Sequence, residues 1–224
     1  MVLIMIYASA VQSCIGARAA GMGHAGVANS TDATAIYWNP AILPWTEPGA
    51  SIGMVRPLKY DYIAISYKKI GFTYVDEHWG PYTHISVGHQ LTPSFSVGCS
   101  FGLGLDIDDI WKPYISPAIV WKNDNIIFGI LLQTMSNLRP AVSYSTENFI
   151  LASEFYDVLS YHKSRRLRLG CEYQFYNLFI RYGTEFTDSD IIKNIGFGYK
   201  FKNLKIDIAY DTMSKWTYSS SLSI

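Results

Sequence analysis

The sequence predicts an all-β fold, a transmembrane antiparallel β-barrel of about fourteen strands. Three observations predict it. From Gly49 onward the chain is a succession of segments of roughly 8 to 11 residues that alternate apolar with polar or small residues, separated by short turn signals. Aromatic residues make up 15% of the chain, with 17 tyrosines and 6 tryptophans against only 16% charged residues, and they gather near segment ends. Finally, no run approaches the roughly 18 to 20 apolar residues of a membrane helix, so a chain this greasy that crosses a bilayer must close its strands into a barrel.

Taken in order, strands are expected near 49–57, 60–69, 70–77, 82–90, 94–105, 113–122 and 125–133, then near 138–145, 147–157, 164–175, 177–186, 192–201, 203–211 and 215–224. Their reasoning is clearest in the last third. Leu167, Leu169, Cys171, Tyr173 and Phe175 alternate with Arg166, Arg168, Gly170, Glu172 and Gln174, which gives one greasy and one charged face. The next segment repeats this with Leu178, Ile180, Tyr182 and Thr184 against Phe179, Arg181, Gly183 and Glu185. Ile195, Phe197, Tyr199 and Phe201 then oppose Asn194, Gly196, Gly198 and Lys200, and after Lys202-Asn203 come Leu204, Ile206, Ile208 and Tyr210 against Lys205, Asp207, Ala209 and Asp211. Phe95 to Leu105 follows the same rule with a face of Ser96, Gly98, Ser100, Gly102 and Gly104.

A soluble β-sandwich or lipocalin-like barrel also alternates, but its wet face is usually dense in Lys, Glu and Thr. Here that face is Gly, Ser and balanced charge, as suits a lumen. Arg166, Arg168, Arg181, Lys200 and Lys205 stand against Glu172, Glu185, Asp207 and Asp211, so the cluster nearly neutralises itself. It can line a polar path, grip something inside the barrel, or form a cross-strand ladder of ion pairs. Aromatics at Tyr60, Tyr62, Tyr67, Trp79, Tyr82, Trp111, Tyr114, Trp121, Tyr173, Phe175, Trp216 and Tyr218 fit girdles at the two membrane interfaces.

The chain reads as one domain with no linker, and 18 basic against 18 acidic residues leave no net charge to draw nucleic acid or an anionic surface. Nucleic acid is therefore not an expected partner. Cys14, Cys99 and Cys171 are too far apart for a disulfide framework or a CxxC site; Cys99 and Cys171 fall on the outward register. No nucleophile-elbow, zincin, phosphate-loop or dinucleotide motif is present, and neither cofactor nor metal is expected; His84 and His89 fall on opposite faces of one strand, which leaves them, with His78, as interfacial or loop histidines. Residues 1–10 read as a partial signal peptide ending in Ala8-Ser9-Ala10, with an N-terminal buried strand as the alternative; a lipoprotein site at Cys14 is disfavoured by Gln12.

Between this leader and the first strand, residues 11–47 break the β pattern. Ser30 or Thr31 can cap a short helix that Pro40 cannot continue, and the small residues from Ala17 to Ala28 let backbone lie close against a wall. The segment carries Gly16-Ala17-Arg18-Ala19, Gly21-Met22-Gly23, Ala25-Gly26-Val27-Ala28, Asp32-Ala33 and Tyr37-Trp38-Asn39-Pro40-Ala41. It resembles the N-terminal signature of the FadL and PorV/PorQ-type outer-membrane proteins, except that His24 stands where that pattern has a small residue. The resemblance implies that residues 11–47 form a plug inside the barrel of residues 48–224, with Gly16, Arg18, Gly21, Gly23, Asp32, Trp38, Asn39, Pro40 and Ala41 as its motif positions.

It further implies the outer membrane of a Gram-negative-type bacterium, with outer-membrane lipids around the barrel; no enzymatic activity is expected, because no nucleophile, base and orienting group can be assembled from strands of this register. Passage of small hydrophobic molecules is the expected function. The alternatives are a PorV/PorQ-like component or scaffold of a type IX-like secretion system, with secretion-system proteins as partners, or a purely structural barrel. An apolar path through the lumen favours transport, and a sealed, salt-bridged interior favours scaffold or structure.

Overall fold

The computed structural model describes residues 15–57, 60–76, 80–105, 111–135, 137–159, 165–213 and 215–224. The expected leader, Cys14, His78 and Trp79 lie outside them, as does the side chain of Tyr60. The strands are β1 (Gly49–Arg56), β2 (Tyr60–Tyr67), β3 (Ile70–Asp76), β4 (Tyr82–Thr92), β5 (Phe95–Leu105), β6 (Trp111–Asn123) and β7 (Ile126–Gln133). Then follow β8 (Asn137–Ser145), β9 (Phe149–Tyr156), β10 (Arg166–Phe175), β11 (Leu178–Phe186), β12 (Ile191–Phe201), β13 (Leu204–Asp211) and β14 (Trp216–Ser223). Each pairs antiparallel with its neighbours in sequence, and β1 pairs with β14 from Gly49 opposite Ser223 to Arg56 opposite Trp216, so the sheet closes on itself. Closure leaves no edge strand whose backbone groups would face hydrocarbon unpaired.

The two ends of the barrel differ. At one end the hairpins turn through Lys68-Lys69, Pro93-Ser94, Asp124-Asn125, residues 146–148, Tyr176-Asn177 and Lys202-Asn203, and both β1 and β14 have their chain-terminal ends there. Lys68, Asp124, Tyr176 and Lys202 adopt left-handed backbone, the twist that tight hairpins need. The other end carries the longer connections, up to the stretch 157–165 between β9 and β10.

The outer wall follows the predicted register. Ile63, Ile85, Ile130, Leu169, Ile180, Phe197 and Ile206 face outward and are exposed, and so is a large apolar side chain on every other strand. An apolar surface that circles the molecule is far larger than a water-soluble monomer tolerates, and it is the surface a bilayer would cover. Charges on this face sit near the strand ends at the long-connection side, as with the exposed Arg56–Asp61 pair (2.9 Å). Tyr67, Trp111, Trp121, Tyr173, Phe175, Trp216 and Tyr218 are exposed as girdle residues should be, but Tyr62 is buried and Tyr82 and Tyr114 lie on the inward register beside the buried His84. These three correct the expected girdle. They share parity with the lumen positions Ala64, His84 and Ser116, and they are apolar because the lumen is filled.

What fills it is the N-terminal segment. Helix α1 (Ala17–Gly21) lies along β11 to β14, helix α2 (Ala35–Trp38) against β3 and β4, and a 3-10 segment (Pro40–Trp45) against β4 to β6. Ile15, Val27, Ile36, Trp38, Ala41 and Leu43 are fully or almost fully buried and pack with Tyr62, Ala64, Val75, Ala118, Val120 and Leu131 of the wall. The protein's core is thus the seam between plug and barrel.

Candidate functional site

The segment's shape comes from local chemistry. Gly16 precedes α1 with φ 88°, a left-handed conformation that favours glycine. The N-terminus of α2 is organised by Asp32, whose Oδ1 accepts from the Thr34 amide (2.9 Å) and the Thr34 hydroxyl (2.5 Å). The expected cap, Ser30 or Thr31, does not act: the Ser30 hydroxyl donates to the Gly26 carbonyl (2.9 Å), and Thr31 is exposed. Asn39 ends α2 in extended backbone and does two jobs. Its Oδ1 accepts from the Ala41 amide (3.0 Å), which starts the 3-10 segment at Pro40, and its Nδ2 donates to the Val27 carbonyl (2.9 Å). Trp38 ties the front of the segment down by donating from Nε1 to the Ile15 carbonyl (3.1 Å).

Close approach to the wall depends on glycines from both sides. A Cβ on Gly21 would come 2.8 Å from the Gly196 Cα, and one on Gly196 would come 2.9 Å from the Gly21 Cα. The Gly183 position leaves no room for a Cβ beside the backbone of Met22 and Gly23, and Gly98 leaves none beside Pro40 and Ala41. Alternate wall positions are glycine, serine or alanine because backbone, rather than side chain, occupies the space opposite.

Two carboxylates of the wall fasten the plug. Glu172 accepts from Nε (3.0 Å) and Nη2 (3.1 Å) of Arg18, whose Nη1 donates to the Asn29 carbonyl (2.7 Å). Glu172 also accepts from Arg181, which is in turn paired with Asp207 (2.7 Å). Glu154 receives the amides of Gly26 (3.0 Å) and Val27 (3.1 Å) on one oxygen, and Arg139 and Arg168 (3.1 Å) on the other. Arg168 reaches on to Glu185 (3.0 Å), which holds Arg166 as well. All but Arg166 are buried, and the contacts form two charge-assisted networks, one around Glu172 and one running through Glu154 and Glu185; the Arg181–Asp207 contact is an ion pair without hydrogen-bond geometry.

The predicted lumen charges therefore divide. Arg168, Glu172, Arg181, Glu185 and Asp207 are brought together inside; Asp211 is buried and accepts the amides of Met213 (2.8 Å) and Lys215 (3.1 Å). Lys205 lies over the Phe179 ring at 4.1 Å. Arg166 stands half-exposed at the long-connection mouth, and Lys200 is exposed beside the β12–β13 turn and belongs to the rim rather than the lumen. Arg139 and Glu154, the centre of one fastening, escaped the sequence reading. Their strands carry apolar Ala141, Ile150 and Ala152 on the same face, which hides the alternation. His84 was expected at an interface or in a loop; it is buried between the rings of Tyr37, Tyr82 and Tyr114, at centroid distances of 5.7, 5.3 and 5.2 Å. His89 is exposed on the opposite face.

Above the plug, at the long-connection end, the barrel opens into a cavity of about 660 Å³ lined by charged and polar side chains together with Val55, Ile192 and Met213, with His24 in its lining. Among the described residues no cluster of His, Cys, Asp or Glu has metal-site composition.

Solved structures share this closed-barrel fold. The toluene transporter TbuX of Ralstonia pickettii superposes with a TM-score of 0.69 at 10% identity, covering 94% of this chain and 98% of that one. The monoaromatic hydrocarbon channel CymD gives 0.66 at 11% identity, covering 94% and 97%. The toluene transporter TodX of Pseudomonas putida gives 0.64 at 12% identity, covering 95% and 98%. No family model matches the sequence, and no curated protein matches it.

Proposed function

We propose that this chain is a FadL-like, plugged β-barrel of the outer membrane of a Gram-negative-type bacterium, and that it passes small hydrophobic molecules when residues 15–47 shift within the lumen. The observation that carries this reading is the division of the lumen. On β9 and β10 the plug is fastened to carboxylates, by the Arg18–Glu172 ion pair and by the Gly26 and Val27 amides on Glu154, whereas on β2 to β7 its α2 and 3-10 segments meet the wall chiefly through apolar side chains such as Ile36, Tyr37, Ala41 and Leu43. Parting an apolar seam exposes a greasy path without stripping a charge of its partner, and the charged side can remain shut. The fold shared along nearly the whole chain with two toluene transporters and a hydrocarbon channel supports the same substrate class. The short-turn end, where both strand termini lie, would face the periplasm, as in bacterial outer-membrane barrels generally.

A second reading, a PorV/PorQ-like partner of a type IX-like secretion system or a purely structural barrel, is favoured by one observation. The charged side of the lumen is self-paired and closed. Against a scaffold stand the short connections, which leave little rim for gripping a protein.

Uptake of labelled toluene by Gram-negative cells making the chain tests the transport reading. Uptake should exceed that of cells lacking it, provided heat-modifiable migration shows the barrel folded in the outer membrane. Equal uptake with folded barrel present would overturn it.

A further inference from the structure

We propose that the berth of Tyr37 on the wall is a binding site for a para-substituted phenol, which takes the place of the Tyr37 side chain when α2 leaves the wall. A tyrosine side chain cut at Cβ is p-cresol, so the berth has the shape of that molecule. Tyr37 is buried, and its ring lies 5.7 Å from that of His84 on β4. The rings of Tyr82 and Tyr114 flank His84 at 5.3 and 5.2 Å. Gly102 leaves no room for a Cβ beside the Tyr114 ring, and the Tyr114 hydroxyl donates to the Thr83 carbonyl (3.1 Å), so this ring is held in place. Edge-on and offset contacts with such rings suit an aromatic solute.

The polar groups of the berth decide between a hydrocarbon and a phenol. Thr73 of β3 stands directly across from His84, and both are buried on the inward face. Among the described residues neither ring nitrogen of His84 has a hydrogen-bond partner, and neither has the Thr73 hydroxyl. The inward hydroxyls one row nearer the short turns are placed differently. Those of Ser86 and Ser100 donate to the plug's Ile36 carbonyl (3.1 and 3.3 Å), and Ser66, itself unpartnered, lies across from Gly71, which Ile36 covers. A neutral imidazole offers one donor and one acceptor, and a threonine hydroxyl offers both, so the His84–Thr73 pair can bind a solute hydroxyl in either sense. A phenol answers these groups, or replaces a water there without losing hydrogen bonds; the methyl group of toluene does neither. This inference rests on the seam parting as the transport reading requires, and it names the solute class of that same path.

The test is limited thermolysin digestion of the full chain in detergent with p-cresol or toluene, with rates normalised to the cleavage of casein in the same solute. A solute that binds only when Tyr37 is displaced raises the unseated population. At about ten times its half-saturating concentration, p-cresol should raise cleavage within residues 34–47 about tenfold, and the rise should saturate. Toluene should need about tenfold more for the same effect, because it forfeits the hydrogen bonds. H84L should remove that difference, T73V should narrow it, and H89L, on the opposite face of the same strand, should leave it as in the parent. Heat-modifiable migration checks the folding of each variant, and T73V carries the test if H84L misfolds. No saturable response to p-cresol, an equal response to toluene, or a difference left unchanged by either folded variant would each overturn the proposal. A chain that brings no toluene into cells yet shows this response loses the transport reading alone, and one that takes up toluene without showing it loses only the phenol site.

Discussion

Replacing Arg18 with methionine removes the plug's side-chain tie to the charged wall while keeping most of its volume. Three donors disappear, two toward Glu172 and one toward the Asn29 carbonyl. Glu172 is not orphaned, since Arg181 still pairs with it, so the cost falls short of that for a wholly stranded buried charge. The lost charge-assisted bonds contribute about 1.5–3 kcal/mol and the unanswered Asn29 carbonyl about 1–3 kcal/mol, or about 2.5–6 kcal/mol together. At about 1.4 kcal/mol per factor of ten, the unseated population of the plug rises about 10²- to 10⁴-fold. Cleavage by thermolysin within residues 15–47 tracks that population when reseating is fast, so its rate should rise by the same factor while the barrel stays intact. Arg18→Lys should recover only part of the protection, because an ammonium cannot span both carboxylate oxygens. A methionine variant as resistant as the parent would refute the assignment of Arg18 as a fastening.

The Gly183→Ala substitution places a methyl group against the backbone of Met22 and Gly23, which cannot move like a flexible side chain; the same proteolysis assay should show loosened residues 16–28, at a cost of about 1–3 kcal/mol. Trp38→Ala empties the fully buried indole site at the centre of the seam and releases the Ile15 carbonyl, so the heat-modifiable transition should fall by the equivalent of about 3–5 kcal/mol. Ile180→Arg puts a charge on the outward face next to the inward Arg181. It should weaken folding into lipid vesicles by about 2–4 kcal/mol in urea titrations if that face meets hydrocarbon, and by almost nothing if it meets water.

Strand positions were legible in the sequence because a wall between lipid and a small or polar lumen imposes alternation on almost every residue. The observed β10 to β13 keep the register that Arg166 to Asp211 implied. Legibility failed where the interior is not polar. On β2, Tyr62 and Ala64 face the plug while Ile63 and Ile65 face outward, so both faces are apolar and parity alone does not sort Tyr62 from a girdle residue. Arg139 and Glu154 were hidden for the same reason. The identity of the cap was lost in a run of Ser30, Thr31, Asp32 and Thr34, all of which have capping chemistry; only coordinates show that Asp32 holds the Thr34 amide. Trp38-Asn39-Pro40-Ala41 marked a break in the β pattern, but the fastening of this segment to Glu172 and Glu154 joins residues 154 and 128 positions apart in the chain, which no local pattern encodes.

The central claim is that residues 15–47 plug the barrel, and planar-bilayer conductance of the full chain beside a variant lacking residues 11–47 tests it most directly. A closed parent and an open, steadily conducting deletion variant is the predicted result. Equal conductance in the two, or silence from a deletion variant shown to be folded and inserted, would contradict it.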